Sequence, residues 1–157
     1  MKILRDLKQI SIRNGREGFL LLTILYFERI CRIKWPFKIL KLLCQGHFLC
    51  DISPYSFISP QAICTCRMPH PYLIIINSNA QIGENVTIYH NVTLGNRERL
   101  GVGGIDIDKM VIKDGVYIGC GATIIGSVTI GENVRIAAHA IVLSDVHDNK
   151  TVAGIVK

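Results

Sequence analysis

From residue 76 onward the apolar residues fall on a strict period of six. Ile76, Ile82, Ile88 and Leu94 are in phase with Ile112, Ile118, Ile124, Ile130, Ile136 and Val142. The residue two before each is apolar as well: Ile74, Ala80, Val86, Val92, Met110, Val116, Ala122, Val128, Val134 and Ala140. A helix repeats near 3.6 and a strand at 2, so neither alone accounts for the pattern. A six-residue unit with one branched aliphatic and one further apolar residue predicts short strand-plus-turn sides wound into a parallel β-helix. Each side then buries one aliphatic in a continuous stack. Gly83, Gly95, Gly119 and Gly131 follow four of the anchors, and Glu84-Asn85, Asp114-Gly115 and Glu132-Asn133 bring turn residues to one phase. Between Leu94 and Ile112 the period fails, with Asp106 at an anchor phase and a polar, Gly-rich stretch around it. One extruded loop is predicted there, and long loops in a regular solenoid tend to carry function.

The first 46 residues obey a different rule. Ile3, Leu7 and Ile10 recur at helical spacing, Asn14-Gly15 breaks the pattern, and Glu17 to Cys31 is apolar on most sides. Pro36 opens another short helix through Cys44. The organisation predicted is a helical segment over 1–46 and a β-helix domain over 47–157. The second helix carries too many large apolar side chains, Phe19 to Phe27 among them, to stand free in water. It must pack on the main domain, on a sister subunit or on lipid.

Composition narrows the setting. The chain has 157 residues, 49% of them hydrophobic, which suits one main core and excludes intrinsic disorder. The longest strongly apolar run, Phe19 to Phe27, is far below the roughly 20 residues of a membrane span, and no small-residue cleavage site follows it. Together with six cysteines that read as packed thiols in a reducing compartment, this leads to the expectation of a cytoplasmic protein. The net charge of +6 is concentrated at the front: residues 1–46 carry ten Lys and Arg against Asp6, Glu17 and Glu28, and the remainder is close to neutral. No basic stripe interleaved with aromatics is present, so nucleic acid is not expected as a partner. A peripheral contact between residues 1–46 and the inner membrane surface suits the local basic patch better.

The hexads Ile118-Gly119-Cys120-Gly121-Ala122-Thr123 and Ile130-Gly131-Glu132-Asn133-Val134-Arg135, with Asn91-Val92-Thr93-Leu94-Gly95, resemble the hexapeptide-repeat acyltransferases. The branch they resemble contains serine acetyltransferases and the short acetyltransferases of capsule and exopolysaccharide clusters. The resemblance covers roughly residues 50 to 157. It implies a left-handed coil with three hexads per turn, and a homotrimer that binds acetyl-CoA between neighbouring subunits.

The stretch Met68-Pro69-His70-Pro71-Tyr72-Leu73-Ile74-Ile75-Ile76-Asn77 resembles the active-site segment of that branch, in which the His is the general base. A hydroxyl is a weak nucleophile, and imidazole can accept its proton near neutrality. Leu73 stands where glycine is usual in the family. Counting the coil adds a second residue without help from the resemblance. If Met68 to Ile75 is one eight-residue side, Ile88 begins the next turn directly above Met68. His70 and His90 then stack on one face about 4.8 Å apart along the backbone. His70 is assigned as the base and His90 as the group that holds the acceptor or sets a tautomer. Asp51 resembles the family's acidic residue that orients the base.

Small residues that let a pantetheine arm lie against backbone are Gly119, Gly121, Ala122, Ala137 and Ala138, with Lys150 as a candidate for the phosphates; no metal is expected. Tyr72, Asn96, Arg97 and Lys109 are the candidate acceptor-binding residues, Lys109 standing where serine acetyltransferases carry a second functional His. Cys64-x-Cys66 lacks the spacing of a zinc site. The short helical segment, Lys109 and the basic front end together lead to the expectation of a sugar hydroxyl in a bacterial surface polysaccharide as acceptor. The alternatives are a serine O-acetyltransferase of cysteine biosynthesis and a non-catalytic scaffold.

Overall fold

The structure, a computed structural model, describes residues 2–30, 35–96 and 109–157. Each hexad becomes one short strand and one turn. The strands are β1 (Ile75–Ile76), β2 (Gln81–Ile82), β3 (Thr87–Ile88), β4 (Thr93–Gly95), β5 (Val111–Ile112), β6 (Tyr117–Ile118), β7 (Thr123–Ile125), β8 (Thr129–Ile130), β9 (Arg135–Ile136), β10 (Ile141–Val142), β11 (Thr151–Val152) and β12 (Ile155–Val156). They form three faces: sheet A in the order β1-β4-β7-β10-β12, sheet B as β2-β5-β8, and sheet C as β3-β6-β9-β11. Every pairing is parallel, and anchor sits on anchor: Ile76 on Leu94, Leu94 on Ile124, Ile124 on Val142. This is a parallel β-helix with three sides per coil.

Each strand reads outward then inward, and the inward residue is the anchor of the six-residue period. All ten anchors and the apolar residues two before them are at most 4% exposed. Burying one such aliphatic contributes about 1.5–3 kcal/mol, repeated at every side. Two columns of left-handed residues mark two of the corners. Leu73, Asn91, Gly121, His139 and Gly154 stand between sheets C and A, and Asn85, Gly115, Asn133 and Asn149 between sheets B and C.

Below the regular coils lies an irregular one. Asp51 bridges to Ile75, Phe57 to Ile82 and Arg67 to Thr87, so residues 50–67 cover the open end of all three sheets. This coil contains a short helix, α4 (Pro60–Thr65), which the six-residue pattern does not anticipate. The local reason is Ser59-Pro60: the Ser59 hydroxyl accepts from the Ala62 N–H at 3.0 Å, and Pro60 occupies the first turn.

The front of the chain folds as α1 (Lys2–Arg13), α2 (Arg16–Ile30) and α3 (Trp35–Phe48), the last running beyond the expected end at Cys44. Of the three environments open to α2, the first is seen. Leu21, Leu22 and Leu25 are fully buried within this chain, in a cluster continuous with the coil from Ile10 to Val146. Two polar links tie the helices together inside it. The Tyr26 hydroxyl donates to Asp6 at 2.6 Å, and Lys41 pairs with the nearly buried Glu28 at 3.2 Å. Among the described residues no helix is long and apolar enough to cross a membrane. Cys64 and Cys66 are free and fully buried, and burial pushes both thiols up to about 12.

Burial, and then the hydrogen bond to Asp6, raise the Tyr26 phenol above its ordinary value. A raised phenol favours the native state fully below the tyrosine range near pH ~10, and that contribution is lost as pH rises through the raised value. Denaturant unfolding followed from about pH 8 to about pH 11 should therefore show wild type losing stability more steeply than Tyr26→Phe. Parallel slopes would remove Tyr26 from the alkaline transition.

Candidate active site

The corner between sheets C and A carries the candidate chemistry. In the coil directly above, the side from β6 to β7 takes six residues, as does the side from β3 to β4, so Cys120 lies above His90 and Gly121 above Asn91, and the Gly121 N–H donates to the His90 carbonyl at 3.0 Å. The lowest regular coil is longer. Arg67 is in register with Thr87, whereas Ile75 is in register with Thr93, so the side from Met68 to Ile75 holds two residues more than the side above it. The surplus is taken up after His70. Tyr72 N–H donates back to the His70 carbonyl at 2.9 Å, and Leu73 turns the chain with φ 55°. This places His70 under His90: the ring centroids are 6.3 Å apart with planes inclined by 71°, and both side chains are exposed. The juxtaposition follows from the eight-residue count.

The small residues of the next coils continue the same corner upward. Gly119 is there for a packing reason, since a Cβ would lie 2.6 Å from the Ala138 amide nitrogen. Gly121 combines a left-handed backbone, φ +69°, with a Cβ position that would collide with the His139 imidazole. Ala137 is half-buried, its N–H given to the Val152 carbonyl and its own carbonyl accepting from Ala140 N–H, and Ala138 is exposed. Ala122 faces the core, with its N–H given to the Gly119 carbonyl and its own carbonyl accepting from Thr93 N–H. Lys150 is exposed just before β11, beside the corner between sheets B and C.

Asp51 is exposed on the irregular coil beneath Ile75, and among the described contacts none joins it to either imidazole. Tyr72 gives its hydroxyl to Glu17 of α2 at 2.6 Å, and that bond foremost raises its pKa. Asn96 and Lys109 mark the two ends of the interrupted repeat, at the corner between sheets A and B. Asn96 is half-buried, with Oδ1 unpaired among the described residues. Lys109 is exposed and lines a cavity of about 340 Å³ with Tyr55, Ser78, Asn79, Ala80 and Gln81. Arg97 and the extruded loop lie outside the described residues. His90 and Asn96 are thus at opposite ends of one side, up to roughly 20 Å apart at ~3.3 Å per residue, and a single chain does not bring its imidazoles and Lys109 together. Among the described residues no three His, Cys, Asp or Glu side chains cluster as metal ligands do.

Sequence reasoning missed a group of residues at this corner. Asn14, between α1 and α2, and Glu17 and Gly18, in the first turn of α2, contact the His70 segment. In the sequence Asn14-Gly15 reads only as a helix break, and no periodicity links it to a segment so far along the chain.

Comparison with known proteins agrees with this architecture. The family described as bacterial transferase hexapeptide (six repeats) matches residues 109–144. The serine acetyltransferase of Mycobacterium tuberculosis is 36% identical over 100 residues, covering 62% of this chain and 42% of the relative. That of Buchnera aphidicola is 30% identical over 167 residues, covering 98% of this chain and 58% of the relative. The crystal structure of Neisseria gonorrhoeae serine acetyltransferase in complex with serine superposes with a TM-score of 0.71 at 28% identity, over 97% of this chain and 65% of that one. Fold and repeats together place the chain among the hexapeptide-repeat, left-handed β-helix acyltransferases. Within that class the relatives are serine acetyltransferases, and the chain spans about half their length.

These relatives overturn the expectation of a sugar acceptor in a surface polysaccharide. Two of the features behind that expectation do not bear on the acceptor. The Buchnera and Neisseria alignments run over the helices as well as the coil, so a short helical front is no mark of a different substrate. Leu21, Leu22, Ile24, Leu25 and Tyr26 of α2 are buried in this chain's own core, so the apolar content of the helix does not require lipid.

Leu73 holds a left-handed backbone that costs a non-glycine residue about 1–2 kcal/mol, and its side chain is 48% exposed. Leu73→Gly should raise the melting temperature by about 2–4 °C, read by circular dichroism. A lower melting temperature would mean that the Leu73 side chain contributes more than the strain costs.

Proposed function

We propose that this chain transfers the acetyl group of acetyl-CoA to the hydroxyl of serine, with His70 as general base. The observation that supports the reading best is the pair of imidazoles at one corner, beneath hexads rich in small residues. As the serine Oγ attacks the thioester carbonyl, the His70 imidazole takes the hydroxyl proton. The new O–C bond forms, the C–S bond breaks, and the proton passes to the departing thiolate, leaving O-acetylserine and CoA. No covalent enzyme intermediate is needed, and Cys120 has no part in the step. His90, 6.3 Å from His70 between ring centroids, is suited to hydrogen-bonding the acceptor or setting the His70 tautomer.

Acetyl-CoA is assigned to the same corner above His90, its pantetheine arm against the main chain of Gly119, Gly121, Ala137 and Ala138. Lys150 is the candidate for its phosphates. Lys109 and, by sequence, Arg97 supply cationic groups for the serine carboxylate. Lys109 stands at a different corner from the imidazoles of its own chain, so the reading includes a homotrimer in which one subunit's A–B corner faces the next subunit's C–A corner.

Thiol release from acetyl-CoA should depend on serine, and His70→Ala should lower kcat about 100-fold or more with the fold intact by circular dichroism. Release that ignores serine would defeat the assignment of the acceptor, and an undiminished His70→Ala rate would defeat the assignment of the base. Lys109→Met should raise KM for serine roughly tenfold, the loss of one charge-assisted contact of about 1.5 kcal/mol, with KM for acetyl-CoA unchanged. Equal KM values for serine would remove Lys109 from acceptor binding.

A further inference from the structure

The side that carries His70 is two residues longer than the side stacked above it, and Pro69 and Pro71 on either side of His70 have no N–H to donate. Higher up, consecutive coils exchange backbone hydrogen bonds side by side. Here the bonds to the coil above gather at the two ends of the side, Arg67 with Val86 and Ile88, and Tyr72 and Ile75 with Asn91 and Val92, and the front of the chain supplies further contacts to the residues around His70. Met68 N–H donates to the Asn14 side-chain oxygen at 2.6 Å. The same Asn14 amide donates to the carbonyls of Cys66 and Ile10, each at 3.1 Å, so it joins the end of α1 to the chain entering the turn. Arg13 donates to the Thr65 carbonyl at 3.0 Å. Gly18, in the first turn of α2, lies so close that a Cβ would collide with the Met68 carbonyl oxygen. On the far side of His70, Glu17 accepts the Tyr72 hydroxyl at 2.6 Å, and the Tyr72 ring packs edge-on against Phe48 with centroids 5.3 Å apart.

The α1–α2 elbow therefore grips the chain at Met68, before His70, and at Tyr72, after it. The imidazole itself is exposed, so its place relative to His90 and to a bound thioester depends on the backbone beneath it. Displacing a catalytic group by about 1 Å can cost on the order of 100-fold in rate. We infer that Asn14, Glu17 and Gly18 are positioning residues for His70, and that the front helices are part of the apparatus that aims the base. This inference rests on the reading of His70 as the base.

Three variants test it on the full chain. Tyr72→Phe and Glu17→Ala each remove the hydrogen bond beyond His70, whereas Glu17→Gln keeps an oxygen that can accept it. Serine-dependent thiol release should show kcat lowered about tenfold or more in the first two, KM for acetyl-CoA within about twofold of wild type, and most of kcat recovered in Glu17→Gln. In parallel, the His70 and His90 imidazole resonances, assigned by NMR through His→Gln variants, should move in Glu17→Ala and return in Glu17→Gln. Lowered thermal stability with kcat and both imidazole signals unchanged would reduce the elbow to a structural brace and overturn the inference. The NMR arm stands apart from catalysis. If His70→Ala keeps its full rate, the base reading fails by itself, and the imidazole signals still decide whether the elbow sets the turn.

Discussion

One branched aliphatic in every six residues points into the coil, and each must sit on the aliphatic of the coil below. That register has consequences at every corner. Strands of two or three residues cannot pair stably alone, so their stability comes from the shared column of buried side chains, which also fixes which residues turn outward. It brings coils close enough that Gly119 has no room for a Cβ against Ala138, and it repeats the left-handed turn of Leu73 at Asn91, Gly121 and His139. The approach of His70 to His90 is a by-product of the same stacking, as the two stand at the same position on one side of successive coils.

Regular stacking also creates a problem that the chain solves with its front end. At the bottom of the ladder, Met68 N–H and the Cys66 carbonyl find their partners outside the coil. The α1–α2 elbow supplies them, through an asparagine that bridges three backbone groups and a glycine that admits the Met68 carbonyl. The helices close the bottom of the solenoid, with α4 and residues 50–67 as an irregular cover on the exposed edges, and the same contacts reach the candidate base. A terminal cap and a support for the active turn are thus one structure.

Order along the chain is a poor guide to the placement of the acceptor residues. Asn96 follows His90 closely in sequence, which suggests a shared site. In the coil, that short interval is a whole side, and it carries the chain from one corner to the next. Lys109 accordingly lies with Ser78, Asn79 and Gln81, away from the imidazoles of its own chain. The basic, apolar front suggests a lipid surface for a related reason, because apolar content along a helix does not say which surface it meets. Fully buried Leu21, Leu22 and Leu25 show that α2 meets its own chain's core.

The coil was legible in the sequence because its cause is periodic. Six-residue spacing of aliphatics and turn formers at a constant phase are local properties of the chain, and the stacking of His70 under His90 followed from counting sides. The front helices were legible as helices from the spacing of their apolar residues and from the break at Asn14-Gly15, whereas α4 was not. What only the tertiary structure decided is where non-repeating segments meet the coil. Asn14 to Met68, Glu17 to Tyr72 and Asp6 to Tyr26 are contacts whose sequence separation follows no period. They depend on the angle at which the helices dock, and that angle is set by the combined shape of the packed apolar surfaces, which no single segment of the chain encodes.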